Sequence, residues 1–310
     1  MGRVFQWTFL LFFLLFLSRP ASCFGEDESK EIMRGVMSSF SVPLRDLFKK
    51  EHPSEWRNLF HGLSGSFAFD LPVQQKPADV RSGSGSSGAT GNIMDLRATL
   101  RYNPFSYWFF QSNFYVYPNP GDRAHWNPDF TYAFGYDDWH PYTFSLVYSN
   151  YMGNHFFPNR QDGEVYTRFE QGTFSLGWKY VLPRFLEQWF IVHPSGSVGL
   201  GFYYNATPSY YDQLSNGTRG WKQSLSLAVK YTIYKWFYIN AVFYFYPDPS
   251  QQQPWDPDFS YGFGYFDWHP GTISIQYNNY SGTRYPWRSR SPNTGGFEDG
   301  SFSISYSWAW

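Results

Sequence analysis

The chain has 310 residues, of which 24% are aromatic and 16% are charged, and its formal net charge is −1. A net charge near zero provides no electrostatic basis for nucleic-acid binding, so that class of partner is not expected. The mean hydropathy of −0.48 shows that the chain is not apolar overall despite its many aromatic residues. This combination favours β-strands with one apolar and one polar face.

Residues 1–25 have the features of a secretory signal peptide. Arg3 supplies the positive start, residues 9–17 form an unbroken apolar run, and cleavage is expected between about Cys23 and Gly25. Cys23 is the only cysteine, so the chain forms no internal disulfide. An alternative is a lipoprotein acylated at Cys23, although the three preceding residues fit that cleavage signal poorly.

No apolar run of about 20 residues follows the signal peptide, so the remaining way to cross a membrane is a closed β-barrel. Residues 26–60 contain apolar positions at helical spacing and predict a short amphipathic helical segment in the periplasm. This segment is expected to anchor on the inner leaflet or cap the barrel. The alternatives are a plug and a docking element for a periplasmic partner.

An internal repeat organises the rest of the chain. Residues 126–141 (WNPDFTYAFGYDDWHP) and 255–270 (WDPDFSYGFGYFDWHP) are identical at twelve of sixteen positions, at an offset of 129. The similarity extends in both directions, and Ser64-Gly65-Ser66 is echoed by residues 195–197. We therefore predict two barrel repeats, 61–182 and 195–310, joined by a link at 183–194.

Each repeat predicts six strands with alternating side chains, and most are long enough to cross a bilayer at a tilt. The expected strands are 62–73, 92–103, 107–117, 128–138, 142–151, 172–182, 195–205, 222–233, 236–246, 257–267, 271–280 and 300–310. Long and short connections alternate along the chain. The long ones are expected at 74–91, 118–127, 152–171, 206–221, 247–256 and 281–299. Together these features predict an all-β, 12-stranded antiparallel transmembrane barrel.

The chain resembles the outer-membrane β-barrel proteins of Gram-negative bacteria. The resemblance rests on the even number of alternating strands, the alternating loop lengths, and a last strand that ends in the aromatic Trp310. It implies an outer-membrane location, contact with outer-membrane lipid, and recognition of Trp310 as an assembly signal by the barrel-assembly machinery. A more specific similarity is to barrels that export exopolysaccharides.

The expected lumen is lined mainly by Ser, Thr, Gly and Ala, with amide, Tyr and a few charged side chains among them. Neutral hydroxyl and amide groups beside Tyr rings suit a carbohydrate better than a strongly charged solute. We therefore expect an outer-membrane channel that passes or exports a polysaccharide together with periplasmic partners. The alternatives are a barrel with a plugged lumen and a non-channel barrel acting as a lipid-modifying enzyme or surface adhesin. The residues expected along the solute path are Arg97, Arg101, Asn113, Tyr115, Lys179, Lys230, Asn240 and Tyr244.

Two cations of this set, Arg101 and Lys230, occupy equivalent repeat positions and are expected to dominate the potential of the lumen. The alternative is that each forms an ion pair, for instance with Asp95 or Asp70, and only fixes strand register.

The repeated Asp-Trp-His-Pro turns combine carboxylates and imidazoles, which could suggest a metal site or acid–base pair. Six strands separate the turns, so a shared site is not expected. Asp can cap each turn and Trp can lie in the interfacial aromatic belt, with contact to a periplasmic partner as an alternative. No Gly-x-Ser-x-Gly motif occurs, and neither an enzyme nor a cofactor nor a metal is expected. The turn residues are Asp138, Trp139, His140, Asp267, Trp268 and His269.

Overall fold

The structure, a computed structural model, contains twelve strands within the residues it describes. Those residues are 62–75, 93–123, 126–151, 153–157, 168–189, 193, 196–212, 215, 217–267, 269–280, 283–288 and 296–309. The expected signal peptide, the expected periplasmic segment at 26–60, Trp268 and Trp310 lie outside them. The strands are β1 Leu63–Pro72, β2 Asp95–Phe105, β3 Trp108–Val116, β4 Phe130–Asp137, β5 Phe144–Asn150, β6 Thr173–Val181, β7 Ser197–Asp212, β8 Gly217–Tyr234, β9 Phe237–Phe245, β10 Phe259–Tyr265, β11 Ile273–Asn279 and β12 Ser301–Ala309.

All twelve strands form one closed antiparallel barrel in which every strand pairs with its sequence neighbours. The first and last strands close it, with Ser64 opposite Ala309 and Pro72 opposite Ser301. Closure leaves no sheet edge with unpaired backbone groups. The prediction of an all-β, 12-stranded antiparallel barrel is therefore confirmed.

The two ends of the barrel differ. At one end, which we call the short-turn rim, brief turns connect β2 to β3, β4 to β5, β8 to β9 and β10 to β11. The long connections meet at the opposite end, the long-loop rim. Between β6 and β7 the chain forms a single helical turn, α1 (Arg184–Glu187). No helix among the described residues is long and apolar enough to cross a membrane.

The connection predicted at 206–221 is wrong in its extent. Strand β7 continues to Asp212 and β8 begins at Gly217, so most of these residues form an extended hairpin. Backbone pairing persists from Ala206 opposite Gln223 to Asp212 opposite Gly217. A buried ion pair, Arg219 Nε to Asp212 Oδ2 at 2.7 Å, holds the hairpin near its tip.

The two Ser-Gly-Ser segments do not occupy equivalent places in the barrel. Ser64 pairs with Arg101, whereas Lys230, the repeat counterpart of Arg101, pairs with Gly199. The first strands of the two repeats therefore correspond at an offset of 199 − 64 = 135 residues, whereas the echoed segments are 131 apart. Gly65 faces outward, where a Cβ atom would lie 2.5 Å from the Trp308 ring. Glycine at this position therefore makes room for an indole.

The outer wall of the barrel is apolar. Large aliphatic and aromatic side chains alternate with inward residues on every part of the wall and remain exposed to the surroundings. Examples are Phe67, Leu96, Leu100, Phe110, Val116, Leu146, Leu176, Ile239, Phe243, Ile275 and Ile304. Exposed aromatic rings also stand at both rims, with Trp139, Trp189 and Phe237 at the short-turn rim and Phe157, Phe169, Trp287 and Phe297 at the long-loop rim.

Two long connections are fastened to this outer wall by the same device. The Tyr148 hydroxyl donates to the Phe169 carbonyl at 2.7 Å, and the Tyr277 hydroxyl donates to the Phe297 carbonyl at 2.7 Å. In each pair the rings stack, with centroids 4.3 and 4.6 Å apart. Tyr277 is completely buried beneath its loop. These loops are therefore held against the outside of the barrel rather than folded into the lumen.

Candidate functional site

The lumen contains two adjoining cavities, of about 590 and 510 Å³, on the side formed by β5 to β9. The first extends towards the long-loop rim, where Lys222 and Asp256 line it. The second extends towards the short-turn rim, where Trp139 lines it. Both are lined by Lys179, Tyr203 and Tyr280, which mark the junction between them. The two cavities together follow the wall from one rim towards the other.

Four of the eight residues expected along a solute path line these cavities. Lys179 and Tyr244 line the first, and Lys179, Lys230 and Asn240 line the second. Most of the remaining lining is neutral and polar, as serine, threonine, asparagine and tyrosine side chains project from alternating positions. This set comprises Ser145, Ser149, Thr173, Ser175, Asn205, Thr207, Ser224, Gln276 and Asn278.

The other four predicted residues line neither of these two cavities. Arg97 is bound to Asp70 at 3.4 Å and donates to Ser303 at 3.4 Å. Asn113 accepts from Thr99 at 2.8 Å, donates to Thr131 at 2.8 Å, and so links β2, β3 and β4.

The remaining two belong to the same side of the lumen. The Tyr115 hydroxyl lies 3.5 Å from that of Thr131, and Arg101 donates to Asn103 at 3.3 Å. The β1 to β4 side of the lumen is therefore filled by interactions between wall residues.

The junction contains an ion pair. Lys179 Nζ lies 2.5 Å from Asp137 Oδ1 and also donates to the Asp138 carbonyl at 2.8 Å. Nearer the long-loop rim, Lys222 forms a second ion pair with Asp256. Both lysines are compensated by a carboxylate, so their net effect on the potential along the cavities is small.

Tyr203 was not among the residues predicted from the sequence, although it alternates in register with Gly199 and Gly201. Its ring lies flat along the wall, where a Cβ atom at Gly177 would be 2.5 Å from it and one at Gly201 would be 2.7 Å from it. The space left by these two glycines, which the sequence suggested was open, is therefore occupied by an aromatic ring. The flat orientation keeps the tyrosine out of the centre of the junction.

The two Asp-Trp-His-Pro turns have the same internal geometry. Asp138 Oδ1 accepts from the backbone N–H of His140 at 3.0 Å and lies 2.7 Å from its Nδ1. Asp267 and His269 repeat this with distances of 3.0 and 2.6 Å. Hydrogen bonds from the backbone and ring of His269 lower the pKa of the Asp267 carboxyl. Each aspartate thus closes its own turn.

These turns do not form a shared chemical site. Among the described residues, no group of three or more His, Cys, Asp or Glu side chains is placed to hold a metal ion. Trp139 is 73% exposed and stacks on His140, with ring centroids 3.8 Å apart. The turn beside the cavity mouth therefore presents an exposed aromatic surface at the short-turn rim.

Comparison with known proteins gives a structural similarity only. No protein-family model matches the chain, and no curated protein matches it. Among solved structures, the chain is similar to an outer-membrane channel from Pseudomonas putida F1, with 11% sequence identity and a TM-score of 0.35. The similarity covers 84% of this chain and 99% of that one. The closed barrel itself confirms, at the level of architecture, the resemblance to outer-membrane β-barrels.

Proposed function

We propose that the protein is an outer-membrane channel for polar, carbohydrate-like solutes. The observation that carries this proposal is the pair of adjoining cavities lined by hydroxyl, amide and tyrosine groups between the two rims. Hydroxyl and amide groups exchange hydrogen bonds with sugar hydroxyls, and tyrosine faces stack on the apolar faces of pyranose rings. Solutes would pass along one side of the lumen, since the β1 to β4 side is filled.

The outer wall supports a membrane location. A closed barrel has all of its backbone groups paired, and its apolar exterior with aromatic rings at both rims is the arrangement that a bilayer stabilises. We expect the mature protein to need detergent for extraction and to migrate faster on gels without heating. Release of full-length protein by a carbonate wash would contradict this location.

The cargo we favour is a polysaccharide, exported with the help of periplasmic partners. Long neutral chains need a continuous path and no strong binding site along it, which fits a lining of many weak hydrogen-bonding groups. A partner would approach the short-turn rim, where Trp139 and His140 form an exposed surface beside the cavity. Pull-down with the periplasmic fraction, comparing wild type with Trp139→Ala, tests this part separately.

The central test is reconstitution into planar bilayers and liposomes. A channel gives discrete conductance steps, and liposomes that contain it swell in neutral oligosaccharides up to a size limit. If neither is observed for a folded, heat-modifiable sample, the channel proposal is wrong. Hydrolysis of phospholipid or cell adhesion by the same sample would then support the alternative of a non-channel barrel.

A further inference from the structure

Two equivalent positions of the repeats hold lumen cations in similar settings. The Arg101 guanidinium lies over the Phe109 ring at 4.1 Å from its centroid, and the Lys230 ammonium lies over the Tyr238 ring at 4.7 Å. Arg101 and Lys230 are 129 residues apart, as are Phe109 and Tyr238. The barrel therefore places one cation on one aromatic ring in each repeat.

The two cations differ in their compensation. Arg101 interacts electrostatically with the carboxylate of Asp137. The residue at the position equivalent to Asp137 is Phe266, whose ring centroid lies 5.9 Å from Lys230 Nζ. Within the described residues, no carboxylate oxygen lies within ion-pair distance of Lys230, unlike the ammonium groups of Lys179 and Lys222. Lys230 is therefore a lumen cation whose counter-charge has been replaced by an aromatic ring.

Three amide side chains surround the same part of the cavity. Gln276 accepts the Tyr238 hydroxyl at 2.7 Å through Oε1, which leaves its Nε2 to donate elsewhere. The amide oxygens of Asn240 and Asn278 both approach Gly262, where a Cβ atom would be 2.8 and 2.7 Å from them. Asn240 Oδ1 is buried and has no hydrogen-bond partner. Polar capacity in this wall is thus unused by the protein itself.

We propose that Lys230, Asn240, Gln276 and Asn278 form a binding subsite for a sugar unit that carries a carboxylate. The inference rests on the proposed function and specifies its substrate class. Lys230 would neutralise the carboxylate, and the amides would bind the neighbouring ring hydroxyls. One uncompensated ammonium matches one negative charge, which favours a monoanionic carboxylate over a phosphomonoester.

The subsite lies towards the short-turn rim, because Trp139 and Pro141 line the same cavity. A solute that enters from this rim therefore meets the amide groups and Lys230 before it reaches the junction at Lys179 and Tyr203. The attraction of an uncompensated cation acts over a longer distance than a hydrogen bond, so it would increase the frequency of entry of acidic chains.

The test is calorimetric titration of the detergent-solubilised full-length protein with a galacturonic acid oligosaccharide at low ionic strength. The same oligosaccharide in fully methyl-esterified form is the uncharged control. We expect Lys230→Gln to weaken binding of the acid by about tenfold or more, since a charge-assisted hydrogen bond is lost. Arg101→Gln is the matched control and should leave the affinity unchanged.

A second variant tests the compensation directly. Phe266→Asp restores a carboxylate beside Lys230 and should abolish the preference for the acid over its ester while leaving heat-modifiable folding intact. Equal binding of acid and ester by wild type, or equal affinity in wild type and Lys230→Gln, would overturn the subsite. Because binding is measured without conductance, a sample that binds the acid but forms no channel would contradict only the proposed function.

Discussion

The flat position of Tyr203 gives a sharp test of how the lumen is kept open. Gly199 and Gly201 both face the lumen from β7, two residues apart. An alanine Cβ at position 201 would lie 2.7 Å from Cε2 and 2.9 Å from the hydroxyl oxygen of Tyr203, whereas one at position 199 would meet its nearest atom, the Lys230 carbonyl oxygen, at 4.0 Å. The two substitutions add the same methyl group, so they differ only in what it meets.

The size of the effect follows from the geometry. Carbon atoms in contact rest at about 3.5–4.0 Å, so the Tyr203 ring must retreat by about 1 Å. The backbone at Gly201 is paired with Lys179 on β6 and Ala228 on β8, which prevents the wall from yielding instead. The ring therefore moves into the junction of the two cavities, and overpacking of this kind costs about 1–3 kcal/mol.

The assay is single-channel conductance in planar bilayers, together with the thermal unfolding temperature in detergent. We expect Gly201→Ala to lower both, and Gly199→Ala to match wild type in both. The double variant Gly201→Ala/Tyr203→Ala should conduct at least as well as wild type, because the displaced ring is gone. If Gly201→Ala and Gly199→Ala behave alike, the role assigned to the glycine at position 201 is wrong.

Three further outcomes are expected. Deletion of Trp310 should lower the amount of protein in the outer membrane more than Trp126→Ala does, and equal amounts on quantitative blots would count against the assembly signal. Tyr277→Phe should reduce the free energy of unfolding by about 1 kcal/mol, measured by urea titration, because the Phe297 carbonyl loses its donor. Reversal potentials in a salt gradient should show mild anion preference that Lys230→Gln removes and Arg101→Gln keeps; the opposite pattern would show that Arg101 sets the selectivity.

The sequence is a good guide to the strands and a poorer guide to the lumen. Every strand was predictable because a wall with lipid-type and lumen-type faces imposes strict alternation on the side chains, as in β12. The extension of β7 and β8 was missed because their outer ends are polar on both faces, which resembles a loop. Beyond the membrane zone the apolar constraint ends while backbone pairing continues, so alternation no longer marks the strand.

The alternating pattern also cannot show which inward residues face open space. Gly177 and Gly201 suggested a gap, but the gap is filled by a ring from the same strand, and that depends on a side-chain rotamer. Arg97 and Lys179 look alike in sequence as inward cations. Their partners, Asp70 and Asp137, become apparent only once strand register is known. Register decides which charges meet, and the repeat alone does not determine it.

The eccentric position of the cavities follows from divergence between the two repeats. At the pairing offset of β1 and β7, Asp70 corresponds to Asn205, and at the offset of 129 Asp95 and Arg97 correspond to Ser224 and Ser226. The first set contains an ion pair that occupies the lumen beside β1 and β2.

The second set is a smaller hydrogen-bonded group, in which Asn205 Nδ2 lies 3.4 Å from the hydroxyls of both Ser224 and Ser226. Asn205 and Ser224 line the larger cavity. Arginine and aspartate in one repeat fill the volume that asparagine and serine leave free in the other. A barrel with two similar halves thus has one side that stabilises the wall and one side that remains open to solute.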